Sequence, residues 1–425
     1  MKPLLTGLAV TTLMMSQAYA SETEQQQILE LKKEVEALKQ LIQQQPAVHL
    51  AEVNSLATDA PMMVQNQSER TVPTISTPQQ QESKQTSPLT WVSKSGAEVK
   101  LYGFARADAE YQIEGGDAMF NRINKVPLNN DPNKKKTEDK FESTVNTTRL
   151  GLDFKTPIEG HNVGGKVEID FRGGANNDTV RVRHAYLTYD HWLIGQTTSS
   201  FLSTDISPEI IDFSSALGGG TFRTPMVRYQ NKWSPQLNYS LSIEQASKDN
   251  RFPAVAGKMQ SKFADNKGTF AVRGLVQETR IREHDDETKL GWGVGLGLKY
   301  LPVENTTVNL NYSHLKGDDK YLLYNADRYY VEDDQVRLAE LDAVLAGVTY
   351  KFNPKLRSTI AYGGIFYSKN ESTNNKSLQQ GWINMLYNPI KPLTFGIEYI
   401  YGQRKTGEGL KGNDNRVGVM AKYDF

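Results

Sequence analysis

The sequence contains no cysteine in its 425 residues, which excludes a disulfide framework and every cysteine-liganded metal site. It has no net charge either, because 49 Lys and Arg balance 49 Asp and Glu. A nucleic-acid partner is therefore not expected, since such proteins carry a basic footprint. The longest apolar run, residues 4–15, is shorter than the about 20 residues that a membrane-spanning helix needs. A helical membrane protein is excluded, in agreement with a mean hydropathy of −0.55.

Motifs for catalysis and cofactor binding are also missing. The six histidines show no HxxxH or HExxH spacing, so no metal site is expected. No G-x-S-x-G nucleophile motif is present. The glycine row at 291–297 alternates with apolar residues and precedes no helix, so it is not a phosphate loop. Its glycines are expected to leave room on one face of a strand. We predict no cofactor and no enzymatic activity.

The first 20 residues have the features of a cleavable secretory signal. Lys2 precedes the apolar run, and Ala18-Tyr19-Ala20 provides a cleavage site with small residues. A short membrane anchor is the alternative, which the length of the apolar run disfavours. We therefore predict a signal peptide at 1–20 and a mature chain in the bacterial envelope.

A heptad pattern follows, and it predicts a periplasmic coiled-coil helix at 21–45. Apolar residues at spacings of 3, 4, 3 and 4 form an a/d seam, namely Ile28, Leu31, Val35, Leu38 and Ile42. An isolated helix of this length would be marginal in water, so the seam predicts self-association. Packing of the helix on its own domain is the alternative, and a separate periplasmic partner also stays open.

The composition changes twice after this helix. Residues 46–97 are rich in Gln, Ser, Thr and Pro, and their apolar residues follow no period, which is typical of a flexible linker. From residue 98 to the end, apolar and polar residues alternate with the period of a β-strand. In the first such segment Lys100 and Arg106 share one face, and Leu101 shares the other with Ala105. We assign 98–425 to a single β domain.

A β-sandwich core would also alternate, but three features of 98–425 favour a barrel in a membrane. The strands are about 10–14 residues long, beyond the about 5–6 that are usual in soluble proteins. Their apolar faces tend to end in aromatic residues such as Tyr111, Phe171 and Tyr401, as in a lipid-facing band with aromatic girdles. Short and long connections alternate, and 115–142, 201–222 and 315–339 are among the long ones. We predict an all-β fold, a transmembrane antiparallel up-and-down β-barrel of about 16 strands.

A barrel of this size leaves an aqueous lumen, so its function depends on what narrows it. The segment 201–222 is the candidate constriction, because it corresponds in position to the third external loop of general porins, which folds into the lumen. An external surface loop is the alternative. The charged residues assigned to this constriction are Asp205, Glu209, Asp212 and Arg223.

The strand faces assigned to the lumen carry many arginines, namely Arg106, Arg149, Arg172, Arg181, Arg183, Arg228 and Arg273. Guanidinium groups match carboxylates in bidentate geometry, and rings of Arg and Lys in a pore favour anions. Carboxylates such as Asp108, Glu168 and Asp170 share these faces, so part of the arginine set is expected to form ion pairs between strands. Arg181 and Arg183 are the best candidates for solute contact, because they lie two residues apart on one face.

The order of these segments resembles a known family. A signal sequence, a short heptad helix and a Gln- and Pro-rich linker precede a first strand with Lys100-Leu-Tyr-Gly-Phe104, Arg106 and Asp108, and the chain ends in Phe425 like the C-terminal assembly signal of outer-membrane barrels. This organisation is similar to that of the DcaP-like outer-membrane porins. The resemblance implies a homotrimer of sixteen-stranded barrels, an N-terminal periplasmic coiled coil and uptake of small dicarboxylates. The heptad composition departs from it, since β-branched a positions with Leu at d favour a dimer.

We therefore predict an outer-membrane porin for passive diffusion of small anionic solutes, which the resemblance narrows to dicarboxylates. Its partners would be outer-membrane lipid, further copies of the chain and the solutes. A general or sugar-type porin is one alternative, although most aromatic residues fall on the outward faces. A structural or adhesion protein that tethers the envelope is another, and it would lack conductance.

Overall fold

The computed structural model describes Lys33 and residues 89–425, apart from Ser95, Asn121, Ala175, Ser215, 324–327 and 370–374. The predicted signal peptide at 1–20, the heptad seam from Ile28 to Ile42 and most of the predicted linker lie outside the described residues. In the described part, no helix is both long and apolar enough to cross a membrane.

Strands dominate the described chain. They are β1 (Thr90–Val92), β2 (Glu98–Glu114), β3 (Lys140–Thr144), β4 (Arg149–Ile158), β5 (His161–Gly173), β6 (Thr179–Tyr189), β7 (Trp192–Thr198), β8 (Arg223–Lys232), β9 (Leu237–Glu244), β10 (Ala254–Phe263), β11 (Gly268–Ile281), β12 (Glu287–Val303), β13 (Thr306–Lys316), β14 (Tyr329–Glu332), β15 (Gln335–Leu338), β16 (Glu340–Asn353), β17 (Leu356–Lys369), β18 (Asn375–Tyr387), β19 (Leu393–Thr406) and β20 (Lys411–Asp424). The helical segments are short, namely the 3-10 turns Ile123–Lys125, Lys134–Thr137 and Thr204–Ile206, and the helix α1 (Lys320–Leu323).

The strands close into an antiparallel barrel of 16 strands, as predicted. From β4 to β20, each strand of the ring pairs with the next one along the chain, and β13 is followed by β16 because β14 and β15 form a separate hairpin. The ring closes where β2 pairs with β20, starting at Phe104↔Asp424. β3 and β4 both pair with β2 and together count as one strand of the ring. β1 falls within the predicted linker. It pairs with the first residues of β2, on the periplasmic side of the segment that pairs with β20. Closure leaves no open edge in the ring, as a lipid environment requires.

The alternation of residue types separates a lipid face from a lumen face, and β12 shows this most clearly. Leu290, Trp292 and Val294 point outward and are 72%, 42% and 47% exposed. The glycines between them point inward and are buried. Because successive side chains of a strand point to opposite faces, one segment can meet lipid and water at once.

The connections differ in length at the two ends of the barrel. Two-residue turns such as those between β4 and β5 and between β12 and β13 lie at one end. The other end carries long loops, among them L1 (115–139), L3 (199–222) and L6 (317–339), which contains α1, β14 and β15. Outer-membrane barrels place short turns in the periplasm and long loops outside the cell. The end with the two-residue turns is therefore the periplasmic end.

The core of the barrel is built where these loops fold inward. A cluster of buried side chains joins Phe201 and Leu202 of L3, Tyr321 of L6, and Ile123 and Val126 of L1 to apolar residues of the inner wall. The lumen is therefore filled in part by loops, and the space that remains is the candidate site.

Candidate functional site

A cavity of about 1980 Å³ lies in the lumen and is lined by strands from around the ring and by L1 and L3. Its lining contains 17 Lys and Arg residues but only six Asp and Glu. The whole chain has 49 of each sign. Positive charge is therefore concentrated on the cavity wall, and many of the acids are buried away from it.

L3 lies inside the barrel against the inner wall. Glycines of the wall strands leave the space that the loop occupies. A Cβ on Gly347 would come within 2.5 Å of Pro208, and one on Gly396 within 2.5 Å of Ile211. Asn309 on β13 donates from Nδ2 to the carbonyl oxygen of Ile206 at 2.9 Å. Two glycines of β12 serve the same purpose, because a Cβ on Gly297 would come within 2.9 Å of Ile206 and one on Gly293 within 3.0 Å of Phe201.

Asp212 is the most firmly held residue of L3. Its carboxylate accepts a hydrogen bond at 2.8 Å from Nη2 of Arg416, which is fully buried. Arg416 also contacts Glu110 at 2.8 Å and Asp414 at 3.1 Å. Glu398 on β19 accepts the backbone N–H groups of Ile211 and Asp212 at 2.8 and 2.7 Å. We call these residues, listed here together, the L3 anchor: Glu110, Asp212, Glu398, Asp414 and Arg416.

The other predicted constriction residues lie on the same loop or at its end. Glu209 forms a bidentate pair with Arg357 of β17, with both N–O distances at 2.6 Å. Asp205 accepts a hydrogen bond from Nε2 of Gln260 at 2.5 Å. Arg223 is the first residue of β8 and lines the cavity. The three acidic residues thus face partners on the wall rather than stand free in the pore.

Three of the seven predicted lumen arginines bind backbone carbonyls at or beside L3. Arg106 donates from Nη2 to the carbonyl oxygen of Ile211 at 2.6 Å and also pairs with Asp108. Arg273 donates from Nη1 to the carbonyl oxygen of Phe201 at 3.2 Å. Arg228 donates to the carbonyl oxygen of Thr198, at the end of β7. These three arginines therefore hold L3, or the strand end that leads into it, in position. Arg273 does not line the cavity.

The other four arginines form a patch on β4, β5 and β6, which we call the arginine wall: Arg149, Arg172, Arg181 and Arg183. Asp170 accepts a bidentate pair from Arg181 at 2.6 and 2.8 Å. Glu168 lies 2.7 Å from Nε of Arg183 and 3.5 Å from Nε of Arg149. Two carboxylates thus serve four guanidiniums, which leaves the wall with an excess of positive charge.

Arg172 differs from the others because its guanidinium meets aromatic rings. It lies 5.0 Å from the ring centroid of Phe120 in L1 and 5.9 Å from that of Phe213 in L3. Arg149 lies 5.8 Å from the same Phe213 ring. Cations over ring faces are held by the ring quadrupole, so these two loops orient guanidinium groups without neutralising their charge.

Two residues of β6 lie on the face opposite to the one that a strict two-residue period predicts. The alternation places His184 and Tyr186 outward with Val182, but both line the cavity. The register runs Glu168↔His184 and then Ile169↔Val182, so Arg183 is the extra residue of a β-bulge. A bulge shifts the alternation by one residue. Nothing in the sequence marks its position.

L1 and L6 also contribute to the site, although the sequence analysis assigned a lumen role to L3 alone. Phe120 comes from L1, and Tyr321 of L6 stacks edge-on against Phe222 at 4.9 Å. Burial raises the pKa of the Tyr321 hydroxyl well above its usual range, so this residue stays neutral. Apolar residues inside long polar loops were the available signal, because such residues need a buried surface.

A metal centre does not emerge from the described part of the chain. No group of three or more His, Asp or Glu residues is placed there to hold a metal ion. Many of the charged side chains around the cavity pair with one another or with backbone groups. The arrangement can attract and pass charged solutes.

The chain is similar to a known protein family and to several solved structures. The sequence model of a family described as DcaP outer membrane protein matches residues 30–425. The crystal structure of the outer membrane channel DcaP of Acinetobacter baumannii is 41% identical, with a TM-score of 0.73 over 79% of this chain and 100% of that one. OmpF of Salmonella typhi (15% identity, TM-score 0.56, 79% and 99% covered) and OmpT of Vibrio cholerae (13%, 0.53, 79% and 99%) share the fold alone. The comparison with curated proteins found no match.

Proposed function

The chain belongs to the DcaP outer membrane protein family, and on that premise we propose that it passes small anionic solutes, above all dicarboxylates, by passive diffusion. That it is a channel of the bacterial outer membrane follows from the family and from the closed barrel. The class of solute rests on the chemistry of the lumen. No catalytic step is needed for passive diffusion, and we expect none.

The observation that carries the proposal is the excess of 17 cationic over six acidic residues in the cavity lining. Three further carboxylates, Asp108, Asp153 and Asp170, lie behind the lining and pair with cations of it. Even with these included, the cations outnumber the acids almost two to one. A narrow lumen lined by one sign of charge raises the local concentration of the opposite ion, so anions are the favoured solutes.

Carboxylates fit the arginine wall better than other anions do. The guanidinium group presents a planar fork that matches a carboxylate in bidentate geometry. The side chain of Arg181 is 37% accessible, against 19% for Arg149 and 9% for Arg183, and the guanidinium of Arg172 lies over the ring of Phe120. A solute with two carboxylates can engage two such forks at once, which supports the dicarboxylate class.

Single-channel recording in planar bilayers tests the proposal. Under a KCl gradient we expect a reversal potential of the sign that marks chloride preference, and succinate should carry current as the sole anion. Selectivity near zero would point to a general porin. Cation preference, or no conductance in a correctly folded barrel, would refute the anion channel.

We also propose a homotrimer, to which the predicted helix at 21–45 adds a periplasmic contact. The outer face of β2 carries the small residues Ala105, Ala107 and Ala109, which allow close approach of a second barrel. Mass measurement of the detergent-solubilised protein tests the state directly. A monomer at all concentrations would refute the proposal.

A further inference from the structure

The periplasmic end of the cavity has its own set of cations, which we call the vestibule lysines: Lys100, Lys299, Lys351, Lys391 and Lys422. Lys100 lies near the start of β2, and Lys351 and Lys422 near the ends of β16 and β20. Lys391 lies in the short connection between β18 and β19. All of them are therefore near the ends that carry short turns, whereas the arginine wall lies higher, between L1 and L3.

The acids at this end do not balance the vestibule lysines. Asp424 pairs with Lys422 at 3.0 Å. Glu209, on the underside of L3, is held by Arg357 in its bidentate pair. Asp153 lies directly opposite Lys100 on β4 and forms its salt bridge with Lys166 at 3.1 Å, so one carboxylate faces two lysines. Among the described residues, no salt bridge joins Lys351 or Lys391 to a carboxylate. Lys100, Lys351 and Lys391 therefore leave the vestibule with a net positive charge after these ion pairs are counted, whatever Lys299 contributes.

One pair of strands shows this excess locally. Lys351 and Arg357 are cross-strand neighbours on the inward face of β16 and β17. Like charges directly opposite each other destabilise a sheet. Glu209 compensates Arg357 but leaves Lys351, which is exposed to the cavity, without a counter-charge. A mobile anion in the vestibule would supply it.

We propose that the vestibule lysines form a second anion site, in series with the arginine wall and on its periplasmic side. This inference rests on the proposed anion channel and adds where the solute goes after the constriction. The ligand class is small carboxylates and other small anions, held loosely by charge.

The residue types suit two different tasks. Arginine forks at the constriction orient a carboxylate, whereas lysine is a strongly hydrated point charge on a flexible stem. Conduction requires sites that are attractive enough to enter and weak enough to leave. A loose site below a geometric one draws the solute off the arginine wall and releases it to the periplasm. Charges at the rim of a site act mainly on the association rate.

The experiment compares two double variants of the full-length protein in planar bilayers. Lys351→Gln with Lys391→Gln removes two charges from the vestibule. Lys267→Gln with Lys355→Gln removes two charges from short turns at the same end that do not line the cavity. The probe is succinate, added to one side at a time in 0.1 M and in 1 M KCl, with its association and dissociation rates read from interruptions of the chloride current.

We expect the vestibule variant to lower the succinate association rate from one side only. The association rate should fall roughly twofold for each charge removed, which corresponds to the interaction of unit charges about 8 Å apart in water. The effect should vanish in 1 M salt, where the Debye length falls to about 3 Å, and the control variant should match the wild type. No change, or an equal change from both sides, would overturn the second site while the wild-type anion preference still stood. A wild type without anion preference would instead remove the proposed function.

Discussion

Loss of Arg416 is expected to change both the stability of the barrel and the width of the pore. This side chain is fully buried, and its guanidinium contacts Glu110 and Asp212 at 2.8 Å and Asp414 at 3.1 Å. Glu110 and Asp414 belong to the wall strands β2 and β20, whereas Asp212 belongs to L3. One guanidinium therefore contacts three buried carboxylates and ties the loop to the wall.

The magnitude follows from the charges that Arg416→Met would leave behind. Removing one partner of a buried ion pair costs about 3–5 kcal/mol, because the other charge stays buried without compensation. Contributions within one network do not add. We therefore expect the free energy of unfolding to fall by about 3–5 kcal/mol rather than by three times that amount. L3 also loses its tie through Asp212, so the open channel should conduct more current with more noise.

Urea unfolding in lipid vesicles measures the free energy, and single-channel recording measures the conductance. A matched variant adds Glu110→Gln, Asp212→Asn and Asp414→Asn to Arg416→Met, which removes the uncompensated charges. It should recover at least about half of the lost free energy, because the buried charge is the main cost, yet keep the larger conductance. A loss below about 1 kcal/mol in Arg416→Met, together with an unchanged conductance, would refute the reasoning.

Three further predictions concern the arginine wall, the wall glycines that face L3 and the N-terminal helix. Replacing Arg181 and Arg183 by Glu should lower the anion preference in reversal-potential measurements, because the wall then changes sign. Gly347→Val should cost about 1–3 kcal/mol in urea unfolding through overpacking and should lower the conductance, because the new side chain pushes L3 off the wall and further into the lumen. Deleting 21–45 should leave the barrel folded by circular dichroism but shift the oligomer toward monomers in mass measurements.

Each of these has a result that would count against it. An unchanged reversal potential would clear Arg181 and Arg183 of a role in selectivity. For the glycine, Gly381→Val is the control, because a Cβ there meets nothing closer than 3.7 Å; equal effects of the two would show that L3 is not involved. An unchanged oligomer after deletion would assign assembly to the barrel alone.

The barrel could be predicted because, in each strand, apolar residues for the lipid face alternate with polar or small residues for the lumen face. In β12 the alternation of Leu290, Trp292 and Val294 with glycines needed no knowledge of neighbours. The strand count and the long loops followed from the same pattern, and the structure confirmed them. The roles of single arginines could not be read in this way, since the period assigns a face but no partner.

The site depended on contacts between residues distant in the chain. Arg416 meets Asp212 across 204 positions, and Arg357 meets Glu209 across 148. The bulge at Arg183 turned His184 into the lumen through a register that only the paired strand β5 reveals. Such features depend on which residues the closed ring brings face to face.

The sequence by itself determined that this chain forms a closed barrel with a lipid face and a lumen face, because side-chain direction in a strand is a local property with a period of two. Only the tertiary structure decided which cations hold L3 and which remain on the cavity wall. That division depends on carboxylates and carbonyl groups supplied by other strands and loops, and charge compensation in a buried site is set by distance in space.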